Sequence, residues 1–206
     1  MIRQLALLLL AALTLSPASA QTQAAAPNPA LNPADVRVAL DTDKGRIIVA
    51  VHTDKAPVTA ANFLKYVDQK RLDGTAFYRG VGAADYGFVQ GGAQNDPKRI
   101  LPAIKHEPTT QTGLTHDDGA LSMARYAPGS ATGDFFVVLG QMPAMDAHPD
   151  APGDNVGFAV FAHVVEGLDV VKAILIAPKS PTKGEGVMRG QMLETPVRIV
   201  TARRLP

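Results

Sequence analysis

The chain has no cysteine and no tryptophan, and aromatics make up only 5% of its 206 residues. Without cysteine there is no disulfide, no thiolate nucleophile and no cysteine-linked lipid anchor. Neither sign of charge is in excess: 20 Lys and Arg against 19 Asp and Glu give a formal charge of +1. A nucleic-acid binder needs a basic face, so no nucleic-acid partner is expected. Phosphate-cradle chemistry is disfavoured too, because glycines 80, 82, 87, 91 and 92 are not followed by Gly-Lys-Ser/Thr and do not lead into a helix. Ser122 lies in Leu121-Ser122-Met123, not in a Gly-x-Ser-x-Gly elbow, so with His116 and Asp117 it reads as a strand serine and not as a hydrolase nucleophile. His106-Glu107, His116-Asp117-Asp118 and Asp146-x-His148-x-Asp150 lack zinc spacing, and Pro149 and Pro152 break a calcium loop, so no metal is expected.

What is present is an ordinary globular composition, 46% hydrophobic and 19% charged, enough for one sizeable core. Residues 1–20 read as a cleavable signal peptide: Arg3, an apolar run from Leu5 to Leu15, and Ala18-Ser19-Ala20 as a small-residue cleavage site. The run is too short to span a membrane comfortably, so no stable membrane insertion is expected after cleavage. Cleavage removes one arginine and no acid. The mature chain, expected in the periplasm or secreted, then starts at Gln21 with no net formal charge. Residues 21–34, rich in Ala, Pro and Asn, read as a flexible linker, leaving 35–206 as the folded domain.

Strand patterns cover Val36–Leu40, Ile47–Val51, Ala76–Arg79, Phe88–Gln90, Gly119–Arg125, Gly133–Leu139, Gly157–Val165 and Val197–Leu205. The first two are joined by a hairpin signal, Asp43-Lys44-Gly45. Gly119–Arg125 alternates, with Ala120, Ser122 and Ala124 against Leu121 and Met123. Phe135-Phe136-Val137-Val138 reads as a strand buried on both faces. One helix is predicted from Pro57, capped by Asp54, with Ala60, Phe63, Leu64 and Val67 on one stripe. A second spans Leu168 to Ile176, with Asp169 near its start. The segments 95–112 and 141–156 read as long loops, and 178–190 as a turn-rich connection. Eight short strands and two helices without regular alternation predict a mainly β fold: a closed eight-stranded antiparallel barrel capped by two α-helices.

The stretch with most chemistry is Phe77-Tyr78-Arg79, a glycine-punctuated loop, and Gln90-Gly91-Gly92. Arginine keeps its proton, so Arg79 is neither base nor nucleophile; it can hold a carbonyl or polarise a nitrogen. With Gln90, Phe88, Met123 and Phe136 it forms a cation beside an apolar slot. The residues alone leave a second reading open, an arginine bridging barrel strands through backbone carbonyls.

Several ordered motifs tip the balance. Lys55-Ala56-Pro57-Val58-Thr59 with Asn62-Phe63, then Phe77-Tyr78-Arg79, Gln90-Gly91-Gly92, Gly119-Ala120-Leu121-Ser122-Met123-Ala124-Arg125, Asp134-Phe135-Phe136, and Val160-Phe161-Ala162 with Val165-Glu166-Gly167 resemble the cyclophilin family of peptidyl-prolyl cis-trans isomerases, in particular its bacterial exported members. The resemblance implies rotation about X-Pro bonds in exported, folding polypeptides, without cofactor or metal, by a monomer whose partners are proline-containing chains. It implies Arg79 as the catalytic cation, with Phe88, Gln90, Met123, Ala124, Arg125, Asp134, Phe136, Met145 and Phe158 binding substrate, the backbone of Ala124-Arg125 pairing with the substrate chain.

Five departures bear on this. Tyr78 replaces the histidine of Phe-His-Arg, Arg125 an asparagine, and Asp134 the glutamine of Gln-Phe-Phe. The interval from Arg79 to Gln90 is three residues longer than usual, which is expected to displace the pocket rim and to let Tyr86 stand in for a missing phenylalanine. Ala144 stands where drug-sensitive members carry tryptophan, so weak cyclosporin binding is expected. Asp134 is expected to pair with Arg125 or to compete for Arg79. These departures keep a second function in play, a proline-binding, chaperone-like module with little turnover.

Overall fold

The computed structural model describes residues 32–206. The expected signal peptide at 1–20 and all of the linker except its last three residues therefore lie outside the described residues. Those three are tied down: Asn32 donates to Asp54 and Thr53 donates to the Ala34 carbonyl.

Eight strands form the wall: β1 Val36–Thr42, β2 Gly45–Val51, β3 Ala76–Ala83, β4 Tyr86–Gly92, β5 Ala120–Met123, β6 Asp134–Leu139, β7 Ala159–Glu166 and β8 Met192–Arg204. Every pairing is antiparallel, and the order β1-β2-β7-β5-β6-β4-β3-β8 closes back onto β1, leaving no free edge. The predicted mainly β barrel is the observed fold. Helix α1 is Pro57–Asp68 and α3 is Leu168–Leu175. A single helical turn, α2 Thr109–Thr112, lies inside the segment predicted as loop, and short 3-10 turns occupy Pro143–Met145 and Gly186–Met188.

Strand side chains alternate, so a closed barrel sorts each strand into an inner and an outer set. In β6, Phe135, Val137 and Leu139 join the main core, which also takes the α1 stripe Ala60, Phe63, Leu64 and Val67 and the α3 residues Val171 and Leu175. The alternate residues Phe136 and Val138 face outward into a second apolar cluster with Ala120 and Val160, against which Phe88, Ala124, Met145 and Phe158 pack. That is why β6 is buried on both faces. The outer cluster is the floor on which a site can be built.

Two expectations about local structure are corrected. Asp54 does not cap α1. The helix starts after Ala56 without a cap from its own segment. Glu107, 1% exposed, reaches in from the segment after β4 and accepts from the Val58 and Thr59 N–H groups and the Thr59 hydroxyl. A buried carboxylate suits unpaired amides at a helix N-terminus. The long interval between Arg79 and Gln90 is not a loop. It extends the β3–β4 ladder outward, with Arg79 opposite Gln90 and Ala83 opposite Tyr86. Gly82 faces Gly87, where a Cβ on either would strike the partner strand's backbone at about 2 Å. The tip residue Asp85 pairs with Lys172 of α3 at 3.0 Å. Tyr86 consequently stands at this tip, 57% exposed, and does not line the groove described next.

Candidate active site

On the outer face of β3, β4 and β6 lies a groove of about 420 Å³. Its apolar side is Phe88, Phe136, Met145 and Phe158; Gln94, Asn95, Ser130, Thr132 and Asp134 make a polar side, and Arg79 and Gln90 also line it. Phe136 is the centre of the apolar side, with ring centroids 5.4 Å from Phe88 and 5.3 Å from Phe158.

Arg79 reaches this groove because of a bulge. Simple alternation after the inward Phe77 would send Tyr78 outward and Arg79 back into the core. The β3–β4 register instead skips between Phe77 and Arg79, so that Phe77 pairs with Gly91 and Arg79 with Gln90. The extra residue re-aims the strand, and both Tyr78 and Arg79 line the groove. The guanidinium sits 5.3 Å from the Phe88 ring centroid. Its Nη1 donates to Gln90 Oε1 at 2.9 Å, and its Nε and Nη2 both donate to Gln191 Oε1, at 2.9 and 2.6 Å. Three of five donors are used, leaving one hydrogen on each Nη without a partner among the described residues. Burial lowers the Arg79 pKa, opposed by the nearby Tyr78. The reading of Arg79 as a brace between backbone carbonyls does not hold: its partners are two side-chain amides, and it faces a groove.

The chain of contacts continues. Gln90 Nε2 donates to Tyr78 Oη at 2.7 Å, Tyr78 donates to Asp134 Oδ2 at 3.0 Å, and Asp134 Oδ1 accepts from the Gln94 N–H at 2.7 Å. Asp134 therefore pairs with neither Arg125 nor Arg79. Burial raises its pKa, partly offset by hydrogen bonds from the Gln94 N–H, Tyr78 and the Ala93 N–H. Burial and then the Asp134 charge push the Tyr78 phenol far up, so it stays protonated. Gly92 makes room for this end of the site: its φ is +129°, and a Cβ there would lie 2.6 Å from Asp134 Oδ1.

Other expected residues divide. Arg125 lines the groove, but Asp154 and the Gly157 carbonyl hold its guanidinium, 5.0 Å from the Phe158 centroid. Ala124 lines the groove as well, yet its N–H is donated to the Asp134 carbonyl. Only the remaining main-chain groups of the Ala124-Arg125 pair can meet a substrate. Met123 is not in the groove. It is 2% exposed and lies in the inner core, because it shares strand parity with Leu121 and not with Ala124. Ala144 is exposed in the Pro143–Met145 turn. Gln191 was missed by sequence reasoning; it stands 112 residues from Arg79, and a lone glutamine just past a turn-rich segment carries no signal.

Ser122 does bond to His116 Nε2 at 3.0 Å, and His116 Nδ1 to Asp146 at 2.6 Å. The serine is fully buried, and the acid is Asp146, while Asp117 pairs with His163. This is a structural brace: His116 stacks on Phe136 at 5.9 Å and 10° and so supports the groove floor. Burial lowers the His116 pKa against the pull of Asp146.

The model of the family described as cyclophilin type peptidyl-prolyl cis-trans isomerase/CLD matches residues 37–203, nearly the whole described barrel. The chain belongs to the cyclophilin-type peptidyl-prolyl cis-trans isomerases. It is thus an enzyme of a class that requires no cofactor. Among its relatives are a peptidyl-prolyl cis-trans isomerase of Acinetobacter baylyi, 32% identical over 169 residues covering 82% of this chain and 85% of that protein. The cyp18 isomerase of Streptomyces antibioticus is 37% identical, covering 66% and 81%. Isomerase B of Escherichia coli is 34% identical, covering 66% and 82%. In fold, the chain is similar to the crystal structure of a Cryptosporidium parvum cyclophilin-type isomerase, with TM-score 0.66 at 16% identity, over 84% of this chain and 98% of that one. A second crystal structure of that isomerase, in the presence of the dipeptide Ala-Pro, has TM-score 0.65 over 82% and 99%.

Proposed function

We propose that the groove between Arg79 and Phe136 binds X-Pro segments of exported polypeptides during their folding and that Arg79 is the catalytic cation. The observation that carries this reading is the shared groove: a guanidinium with two unused donors opposite an apolar slot of Phe88, Phe136, Met145 and Phe158. The structure of the Cryptosporidium isomerase determined in the presence of Ala-Pro supports proline-containing peptides as the substrate class.

The chemistry follows from the amide. Rotation about a peptide bond faces a barrier of about 18–20 kcal/mol because the C–N bond is partly double. Halfway round, the prolyl nitrogen is pyramidal and regains its lone pair. The free Nη donors of Arg79 favour that form, or the displaced carbonyl oxygen, over the planar amide, and this difference is catalysis. The slot holds the proline ring and excludes water, which strengthens the interaction. An acceleration of about 10⁵ needs roughly 7 kcal/mol. No proton moves and no bond is made or broken.

The amino-terminal 20 residues support export, 21–34 serve as a tether, and the mature enzyme works as a monomer in the periplasm or outside the cell. Slow prolyl isomerisation limits folding there as elsewhere. The exposed Ala144 supports weak cyclosporin binding. Two measurements test the reading. An X-Pro peptide should shift the backbone amide signals around Phe88 and Phe136, and the same peptide with alanine for proline should not; equal shifts would contradict it. Mass spectrometry of the exported protein should find a chain starting at Gln21, and an intact Met1 would contradict export by cleavage.

A further inference from the structure

Two departures from the family's motifs, Tyr78 for histidine and Asp134 for glutamine, touch each other in the fold, 3.0 Å apart. They lie 56 residues apart in the chain, and nothing in either motif links them. Together they close a single file of side chains, Arg79 to Gln90 to Tyr78 to Asp134.

The direction of every bond in that file is fixed from its two ends. Arg79 can only donate, so Gln90 must turn its Oε1 toward it. An ionised Asp134 can only accept, so the one phenolic proton of Tyr78 goes to it. The Tyr78 oxygen is then left as an acceptor, which is what Gln90 Nε2 needs. We propose that Tyr78 and Asp134 are positioning residues: the Asp134 carboxylate sets the Tyr78 hydroxyl, which locks the Gln90 amide in the one orientation that holds the Arg79 fork toward the groove. This rests on the reading of Arg79 as the catalytic cation.

A proton on Asp134 undoes the arrangement. The carboxylic acid becomes a donor and competes with Gln90 Nε2 for the Tyr78 oxygen, while the Tyr78 proton loses its acceptor. The Gln90 amide can then flip and set its NH₂ against the guanidinium. Among the described residues, Tyr78 on β3 and Tyr66 of α1, which packs on Gly133, act on Asp134, and Arg79 and Arg125 share its groove. Burial holds the Asp134 carboxyl above its usual range. Activity supported by the file is therefore complete above that raised pKa and is lost as pH falls through it, at milder acidity than an exposed aspartate would need.

The test is kcat/KM against pH on an X-Pro peptide, followed by exchange NMR so that no coupling protease limits the acid range. It compares wild type, Tyr78→Phe, Asp134→Asn and the double Tyr78→His, Asp134→Gln. At pH 7, Tyr78→Phe and Asp134→Asn should each lose about tenfold, the scale of one lost hydrogen bond to an orienting group. Both should lose the acid limb that the wild type has. The double replacement, which restores the family's own pair, should recover to within about threefold of wild type, a non-additive result expected only of residues in contact. The proposal is overturned by a wild type with no acid limb, by a limb that persists in either single variant, or by Tyr78→Phe at wild-type rate. Tyr78→Phe removes one oxygen atom and keeps the test open if Asp134→Asn does not fold. Arg79→Ala, measured beside them, separates the two ideas: if it alone is slow, only the positioning role fails, and if it is as fast as wild type, the catalytic reading fails first.

Discussion

Replacing Gln191 by alanine tests whether Arg79 works by being held as well as by being charged. The Gln191 oxygen takes two of the three hydrogen bonds that fix the guanidinium, at 2.9 and 2.6 Å. Without it, only Gln90 restrains the group. A freed arginine regains rotamer entropy, and ordering such a side chain again costs about 0.5–1.5 kcal/mol. One orienting bond to a charged group adds a comparable amount, so the transition state should lose about 1–2 kcal/mol, or roughly 5- to 30-fold in kcat/KM. The loss should fall on kcat, because the apolar slot that binds the proline ring is untouched. Gln191→Glu separates orientation from field: a carboxylate grips the fork more firmly but neutralises it, so this variant should also be slow while being more rigid. The assay is protease-coupled isomerisation of an X-Pro tetrapeptide near 10 °C, where the uncatalysed reaction takes minutes. A Gln191→Ala enzyme within twofold of wild type would refute the reasoning.

Three further outcomes are expected. Phe136→Ala opens the wall shared with Phe88, Phe158 and His116, and should raise KM by about 10- to 100-fold, the value of burying one apolar ring; an unchanged KM would place the proline elsewhere. Glu107→Ala leaves the Val58 and Thr59 amides and the Thr59 hydroxyl without their acceptor and should cost about 2–4 kcal/mol in denaturant unfolding, with activity of the folded fraction preserved. His116, whose pKa burial lowers, binds its proton more readily in the unfolded chain, so its contribution to stability is present at neutral pH and is lost as pH falls below about 6.5. His116→Gln should therefore show a smaller drop in unfolding free energy between pH 7.5 and 5.5 than wild type, and parallel declines would contradict this.

Much of the fold was legible because closed barrels sort residues by parity. The run Phe135 to Val138 and the segments ending at Arg79 and Gln90 could be read as strands, and the α1 and α3 stripes as packing faces. Met123 is instructive: alternation within Gly119–Arg125 sets it on Leu121's side, away from Ala124, while the reading of the site puts Met123 in the apolar slot, and the fold follows the alternation. What could not be read were tertiary coincidences. The bulge at Tyr78 depends on the register against β4 and β8, not on local sequence. Glu107 caps a helix 48 residues upstream, and Gln191 holds an arginine 112 residues away. The extra residues before Gln90 looked like a loop because glycines punctuate them, yet Gly82 and Gly87 are there to let two strands approach.

The most direct measurement is the kcat/KM of Arg79→Ala on an X-Pro peptide, with melting temperature as a check on folding. Loss of the preorganised donors should reduce it by about 10²–10³-fold, with KM changed far less. A folded Arg79→Ala protein that isomerises the peptide at the wild-type rate would contradict the account.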